Sequence, residues 1–307
     1  MKALELASLL GYQYAGNNDI EVSSIRFADD AKENDIAICK TYNEILKTKA
    51  LVVLSKATIS LGKNFIYTYE DLNLTAIKIA NVFISKNLLP DYNMTPIYIM
   101  KGHSMYGKNI EIGNNTYIGC FCFIGDNVII GKNCHIENNV YIGDGTVIED
   151  NVIVRSGARI GANCNFYYFQ NEIRKIFPGV GKTHIFENVE VGYNTVVQRG
   201  TFKDTVIGSD TKIGNLVEVA HDVNIGSNCR ITSQVGIAGN VTIGKNVIVY
   251  GQVGIADNTN IGDNAVIMAK SGVTKNVKPG EVVSGMPARK HCKELELQAK
   301  IRSIRKV

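Results

Sequence analysis

An isoleucine or valine recurs at every sixth position along nearly half of the chain. Ile112, Ile118, Ile124, Ile130, Ile136, Ile142, Ile148, Val154 and Ile160 keep this spacing without a miss. The pattern returns at Val191 and Val197 and slips by four residues across Arg199 to Val206. It then runs through Ile207, Ile213, Val219, Ile225, Ile231, Ile237, Ile243, Val249, Ile255, Ile261, Ile267 and Val273. Glycine follows many of these anchors, as in Ile112-Gly113, Ile124-Gly125, Ile243-Gly244 and Ile261-Gly262. A helix repeats its apolar face near every 3.6 residues and a half-buried strand every 2, so a period of six fits neither alone. It fits a coil with short flat sides, each giving one β-branched side chain to the interior, with glycine and asparagine at the corners. Three sides make a coil of 18 residues, and the coils stack as parallel strands about 4.8 Å apart. Twenty-three anchors predict nearly eight coils of a β-solenoid, a parallel β-helix.

The flanks lack the repeat. Residues 1–100 read as a small α/β domain: Leu4 to Leu10 as a short helix, Ala50 to Leu54 and Asn64 to Thr68 as strands, and Leu72 to Leu89 as a helix by its apolar spacing. The solenoid domain is expected over 101–283, joined to the first domain near Pro90 to Lys101 and interrupted by an inserted segment, 161–190. That segment holds Phe166, Tyr167, Tyr168, Phe169, Phe177 and Phe186. A loop leaving a solenoid often carries binding function, and a hydrophobic flap packed for stability is the equal alternative. Residues 284–307 form the third expected part, a basic C-terminal helix from Lys290 to Lys306.

Composition bounds what such a chain can do. Apolar residues are 45% and charged residues 20% of 307, close to the globular norm. No stretch approaches the roughly 20 apolar residues of a membrane span, and the N-terminus lacks the pattern of a signal peptide. Seven cysteines at scattered positions do not read as a disulfide framework, so a reducing cytoplasm is expected. Cys120 and Cys122 lack zinc-ligand spacing, and no metal site is expected. The net charge of +4 is concentrated in the tail, where Arg289, Lys290, Lys293, Lys300, Arg302, Arg305 and Lys306 are opposed by Glu294 and Glu296 alone. The rest is near neutral, which argues against a nucleic-acid groove along the protein. The tail reads either as a solvated helix capping the coil or as a docking site for an anionic donor.

Of five histidines, His103 and His291 lie outside the clear repeat with no partner signature, His135 stands just before an anchor and His184 is in the inserted segment; a surface or structural role is expected for each. His221 differs. It stands two residues beyond an anchor, in Val219-Ala220-His221-Asp222-Val223, and so belongs outside the coil near a corner. A histidine is the usual general base, and a carboxylate such as Asp222 can fix its tautomer. One coil later comes Gly239, in Ile237-Ala238-Gly239-Asn240, whose N–H is left open to a ligand. A base and an N–H donor one strand spacing apart can flank a reacting carbonyl. The bland alternative is a solvated corner histidine. P-loop, His-Glu-x-x-His and strand-linked Gly-x-Gly-x-x-Gly motifs do not occur.

Arg199-Gly200-Thr201, Asp204-Thr205-Val206-Ile207-Gly208, Val219-Ala220-His221-Asp222-Val223-Asn224-Ile225-Gly226 and Gln234-Val235-Gly236-Ile237-Ala238-Gly239 resemble the hexapeptide-repeat acyltransferases. The likeness is to the UDP-3-O-(3-hydroxyacyl)glucosamine N-acyltransferases of lipid A synthesis. Leu4 to Asp29 and Ala50-Leu51-Val52-Val53 resemble their small nucleotide-binding domain. The resemblance implies a left-handed β-helix, a homotrimer with active sites between neighbouring subunits, His221 as general base, Asp222 as its partner and the Gly239 N–H as oxyanion donor. It implies a nucleotide-linked amino sugar as acceptor, held in part by Tyr42 and Asn258. The donor would be an acyl-coenzyme A or acyl carrier protein thioester, with no tightly bound cofactor. Some positions depart from that family. Ile38 stands where an aromatic commonly meets the uracil, Asn258 replaces a histidine, and bulkier residues at Cys164 to Tyr167 replace a Gly-Phe-Gly-Tyr turn. Ser284-Gly285-Met286-Pro287-Ala288-Arg289 is closer to coenzyme-A-dependent hexapeptide acetyltransferases, which makes Arg289 and Lys290 candidates for meeting the donor's phosphates.

The leading expectation is an N-acyltransferase acting on a nucleotide-activated amino sugar, for lipid A or a surface glycan. The alternatives are an O-acyltransferase of the same fold and a non-catalytic β-solenoid binding module.

Overall fold

The computed structural model describes residues 1–56, 63–86, 99–101, 104–170, 172–177 and 179–304. His103, Arg305, Lys306 and most of the stretch Pro90 to Lys101 lie outside the described residues. The chain forms two compact units, one of Met1–Met94 with Phe166–Val180 and one of Thr95–Asn165 with Gly181–Val307.

The first unit is an α/β layer. Its five strands are β1 (Gln13–Ala15), β2 (Ser24–Phe27), β3 (Asp35–Ile38), β4 (Val52–Ser55) and β5 (Asn64–Tyr67). They lie in the order β1-β5-β4-β3-β2, parallel except for β1 against β5. The central strand β4 is buried throughout, as expected of a parallel strand covered on both faces. Three helices accompany the sheet: α1 (Ala3–Leu10), α2 (Tyr42–Lys47) and α3 (Leu72–Ser85). Asp71 starts α3 by accepting from the Asn73 and Leu74 N–H groups, and Thr41 starts α2 by accepting from Glu44 N–H. The same unit includes an antiparallel hairpin, Phe166–Gln170 with Ile173–Phe177.

The second unit is the coil. Its three sheets contain nine, eight and nine parallel strands, apart from antiparallel additions at Ile99–Lys101 and Arg289–Lys290. The resulting twenty-six coil strands exceed the twenty-three anchors of the sequence pattern. Tyr106, Ile185 and Val283 occupy the three further slots, paired with Ile124, Ile148 and Ile267. Tyr106 and Ile185 keep the spacing, six residues before Ile112 and Val191, but Tyr106 is not β-branched and Ile185 falls within the expected inserted segment; Val283 follows the break at Lys278-Pro279-Gly280 and is off the spacing. Ile160 pairs with Val197, 37 residues on instead of 18, so the insertion adds 19 residues, and the parallel pairing continues across it with a bulge between Ile160 and Ala162. Thr183–Ile185, inside the 161–190 segment, already runs in the coil.

Two columns of side chains close the corners. Asparagines adopt the left-handed conformation, which their short polar side chain tolerates, and bond to one another between coils. Asn115, Asn133, Asn151 and Asn188 form one such ladder, ending on Asp210. Beside the corners, Thr116 donates to Gly131 O at 2.7 Å and Cys134 donates to Glu149 O at 3.0 Å. Burial raises the Cys122, Cys134 and Cys229 thiols, which keeps them protonated as donors. All seven cysteines are free. The coil is followed by α4 (His291–Ile304), whose Leu295, Leu297 and Ile301 are exposed.

The inward and outward positions of one strand should differ sharply in cost. Ile130 is 1% exposed and Ile129 is 42% exposed. Ile130→Ala is expected to destabilise the coil by about 2–5 kcal/mol. Ile129→Ala is expected to stay within about 0.5 kcal/mol. Denaturant titration followed by circular dichroism distinguishes the two.

Candidate active site

His221 leaves the coil beyond the inward Val219, where Ala220 N–H donates to Ile237 O at 3.0 Å. The next residue, Asp222, takes the left-handed corner at φ 62° and turns its carboxylate inward, leaving it 3% exposed. One oxygen, Oδ1, accepts from Thr201 N–H at 2.8 Å. The other, Oδ2, accepts from the Thr201 hydroxyl and lies 2.8 Å from His221 Nδ1. The Asp222 N–H donates to Thr205 Oγ1 at 3.0 Å. A carboxylate only accepts, so Nδ1 carries the hydrogen and the neutral ring offers its lone pair at Nε2.

The seat of Asp222 is built by the four-residue slip. Arg199, 1% exposed, donates through Nε to Gly181 O at 3.0 Å and anchors the bend. Gly200 follows, where a Cβ would lie 1.6 Å from Lys203 O, so a side chain there would force the bend open. Thr201 is thereby presented to Asp222. Thr201 and Thr205 carry no acid–base chemistry of their own, and the sequence reading gave them no role. The slip itself was their signal.

The register Glu218 to Gly236 and Val219 to Ile237 stacks Gly239 on His221. A Cβ on Gly239 would lie 2.6 Å from His221 Cε1 and 2.8 Å from Nε2. Its carbonyl accepts from Asn258 N–H at 3.1 Å. The ring borders a cleft of about 660 Å³. Asn165, Gln198 and Glu218 supply polar groups to its lining, and Ala220, Ala238, Ala256, Gly236 and Gly254 supply small ones. Gln198 links two of the polar residues, accepting from Asn165 N–H at 3.2 Å and donating through Nε2 to Glu218 Oε1 at 2.6 Å. Glu218, three residues before His221, was also missed, because a carboxylate at an outward position reads as ordinary solvated surface.

The structure brings His221, Asp222 and Gly239 together. The other sequence candidates are not among the residues lining the cleft. Tyr42 opens α2 in the first unit and is 47% exposed. Asn258 stands in a corner ladder, accepting from Asn240 Nδ2 at 2.8 Å and donating to Asp257 Oδ2 at 2.7 Å. Arg289 pairs with Glu294 at 3.2 Å, and Lys290 is exposed. Ile38 is 1% exposed at the end of β3, a core position unable to stack on a base. His184 pairs with Glu149 at 2.8 Å, and the Ser284 hydroxyl shares a hydrogen bond of 2.8 Å with His291 Nδ1. No group of three potential metal ligands occurs among the described residues.

Gly239→Ala is expected to displace the His221 imidazole and shift its ring resonances in a histidine-labelled NMR spectrum. Gly236→Ala is expected to leave them in place, since a Cβ there meets nothing within 4 Å.

The bacterial transferase hexapeptide (six repeats) family model matches residues 109–143 and 204–239. A UDP-3-O-acylglucosamine N-acyltransferase of Methylobacterium nodulans is 43% identical over 67 residues, 22% of this chain and 19% of that protein. The match thus spans about a fifth of the length of that relative. The solved UDP-N-acetylglucosamine O-acyltransferase of Moraxella catarrhalis superposes with a TM-score of 0.58 at 27% identity, covering 62% of this chain and 73% of the other. The Francisella novicida UDP-N-acetylglucosamine acyltransferase gives 0.57 at 26% identity, covering 65% and 73%. The coil is the left-handed parallel β-helix of these structures. By its repeat, its coil and these likenesses, the chain is a hexapeptide-repeat protein that resembles the acyltransferases of the lipid A type.

Proposed function

We propose that the protein transfers an acyl group from a thioester to the amino group of a nucleotide-activated sugar, with His221 as general base. The observation that carries this reading is the stack of Gly239 on a histidine whose Nδ1 is tied to a buried carboxylate. The acceptor nitrogen adds to the thioester carbonyl. His221 Nε2 takes a proton from that nitrogen, and the Gly239 N–H donates to the oxyanion. Collapse breaks the carbon–sulfur bond, and the imidazolium returns the proton to the leaving thiolate. Asp222 keeps the ring in its tautomer and offsets its positive charge.

The donor is an acyl-coenzyme A or acyl carrier protein thioester, and no tightly bound cofactor is needed. The basic tail, with Arg289 and Lys290 at its start, meets the donor's anionic groups. The first unit, with Tyr42, holds the nucleotide. The working form is a homotrimer in the cytoplasm, and the product feeds lipid A or a surface glycan. The short match to an N-acyltransferase supports amide formation. O-acylation is the second reading, favoured by the longer structural likeness to UDP-N-acetylglucosamine O-acyltransferases. A non-catalytic solenoid would show no thioester turnover with any acceptor.

Thioester consumption should be followed with acetyl-coenzyme A and with 3-hydroxyacyl carrier protein, against UDP- and dTDP-linked amino sugars, and the product linkage read by mass spectrometry. His221→Ala is expected to lower kcat by about 10²–10⁴ with the fold intact; near-wild-type turnover contradicts the mechanism. Replacing Arg289 and Lys290 with glutamine is expected to raise the donor KM and weaken its salt dependence. An unchanged donor KM leaves the tail as a cap on the coil.

A further inference from the structure

We infer that Glu218 is the acceptor-recognition residue, a carboxylate that binds the acceptor's ammonium group and selects amine over hydroxyl acceptors. This rests on the proposed acyl transfer at His221. Among the residues lining the cleft, Glu218 is the one acidic side chain, and no lysine or arginine joins it there. Its carboxylate is held rather than loose, since Gln198 Nε2 donates to Oε1 at 2.6 Å. Gln198 is itself buried and fixed by the Asn165 N–H at the point where the chain leaves the coil. This relay aims a negative charge into the cleft from the coil below the glycines.

The neighbour in register explains why that charge remains available. Gly236 lies directly above Glu218 and has no side chain to cover it, and a Cβ there would meet nothing within 4 Å. Beyond Gly236 the lining is Ile237, Ala238, Gly239, Gly254, Ile255 and Ala256, which offer no charged or polar side chain. The cleft is therefore graded, polar at Glu218 and Gln198 and apolar along the following coils, with His221 beside both. A polar acceptor fits the first end and the acyl chain the second. An aliphatic amine arrives as an ammonium, which a fixed carboxylate recognises by charge-assisted hydrogen bonds. One proton must leave to solvent before the nitrogen can attack. The second passes to His221 Nε2 as the carbon–nitrogen bond forms, and from there to the departing thiolate. A hydroxyl acceptor carries no charge for Glu218 to recognise.

Glu218→Gln tests this, because the amide oxygen keeps the bond from Gln198 and only the charge is lost. The probes are UDP- and dTDP-linked amino sugars and their counterparts with hydroxyl in place of the amine. The expected result is a rise of about ten- to a hundredfold in KM for the amino acceptor. The donor KM, the melting temperature and any turnover of the hydroxyl counterpart should stay unchanged. An unchanged KM for the amino acceptor, or an equal loss on both acceptors, overturns the inference. Wild-type protein that acylates only hydroxyl acceptors, or none, overturns it as well. His221→Ala keeps the two readings apart: an inactive His221→Ala beside an unaffected Glu218→Gln removes the role of Glu218 alone.

Discussion

The register of one coil on the next governs this protein. Away from the insertion and the slip, the outward backbone N–H groups of a side find their acceptors 17 residues ahead, as when Phe123 donates to Val140 O and Asn224 to Val241 O, so a residue there has a fixed neighbour one coil away. The interior anchors give that register a single answer, since a shift of one residue would turn the apolar set outwards. Any residue placed at an outward or corner position is then set against its neighbour 18 positions later. His221 and Gly239 are such a pair, and so are Glu218 and Gly236.

The site arises where this regularity is broken. A perfect repeat would put another six-residue side between Val197 and Ile207. Instead four extra residues form a bend, pinned by the buried Arg199 and permitted by Gly200, that carries Thr201 to Asp222. The 19-residue insertion does the same kind of work earlier in the chain. It leaves the coil just after Asn165, whose N–H orders Gln198 and through it Glu218. The solenoid supplies a rigid frame, and its two irregularities supply the groups that orient the polar side chains of the cleft.

The coil was legible in the sequence because its constraint is periodic and acts on residue type. Every anchor from Ile124 onwards is buried, and α1, β4, β5 and α3 of the first unit fall where the sequence reading put helices and strands, while β1, β2, β3 and α2 were not read. Tyr106, Ile185 and Val283 were missed for different reasons: Tyr106 keeps the spacing but is not β-branched, Ile185 keeps it but falls within the expected insertion, and Val283 lies ten residues after Val273. The alignment of His221 with Gly239 followed from the period alone. The seat of Asp222 and the relay through Gln198 did not, because they depend on where a non-periodic bend places Thr201 and Asn165. Arg289 shows the limit in another way: its charge was visible, but its pairing with Glu294 depends on how Arg289–Lys290 folds back against Val282–Ser284.

The central claim is that His221 and Gly239 flank a reacting carbonyl. A crystal structure with a non-reactive thioether analogue of the donor and an acceptor sugar nucleotide tests it most directly. The account expects the analogue's carbonyl oxygen within about 3 Å of the Gly239 nitrogen and the acceptor's amino nitrogen within about 3 Å of His221 Nε2. A carbonyl bound on another face of the coil, with the His221 cleft occupied by solvent alone, would contradict it.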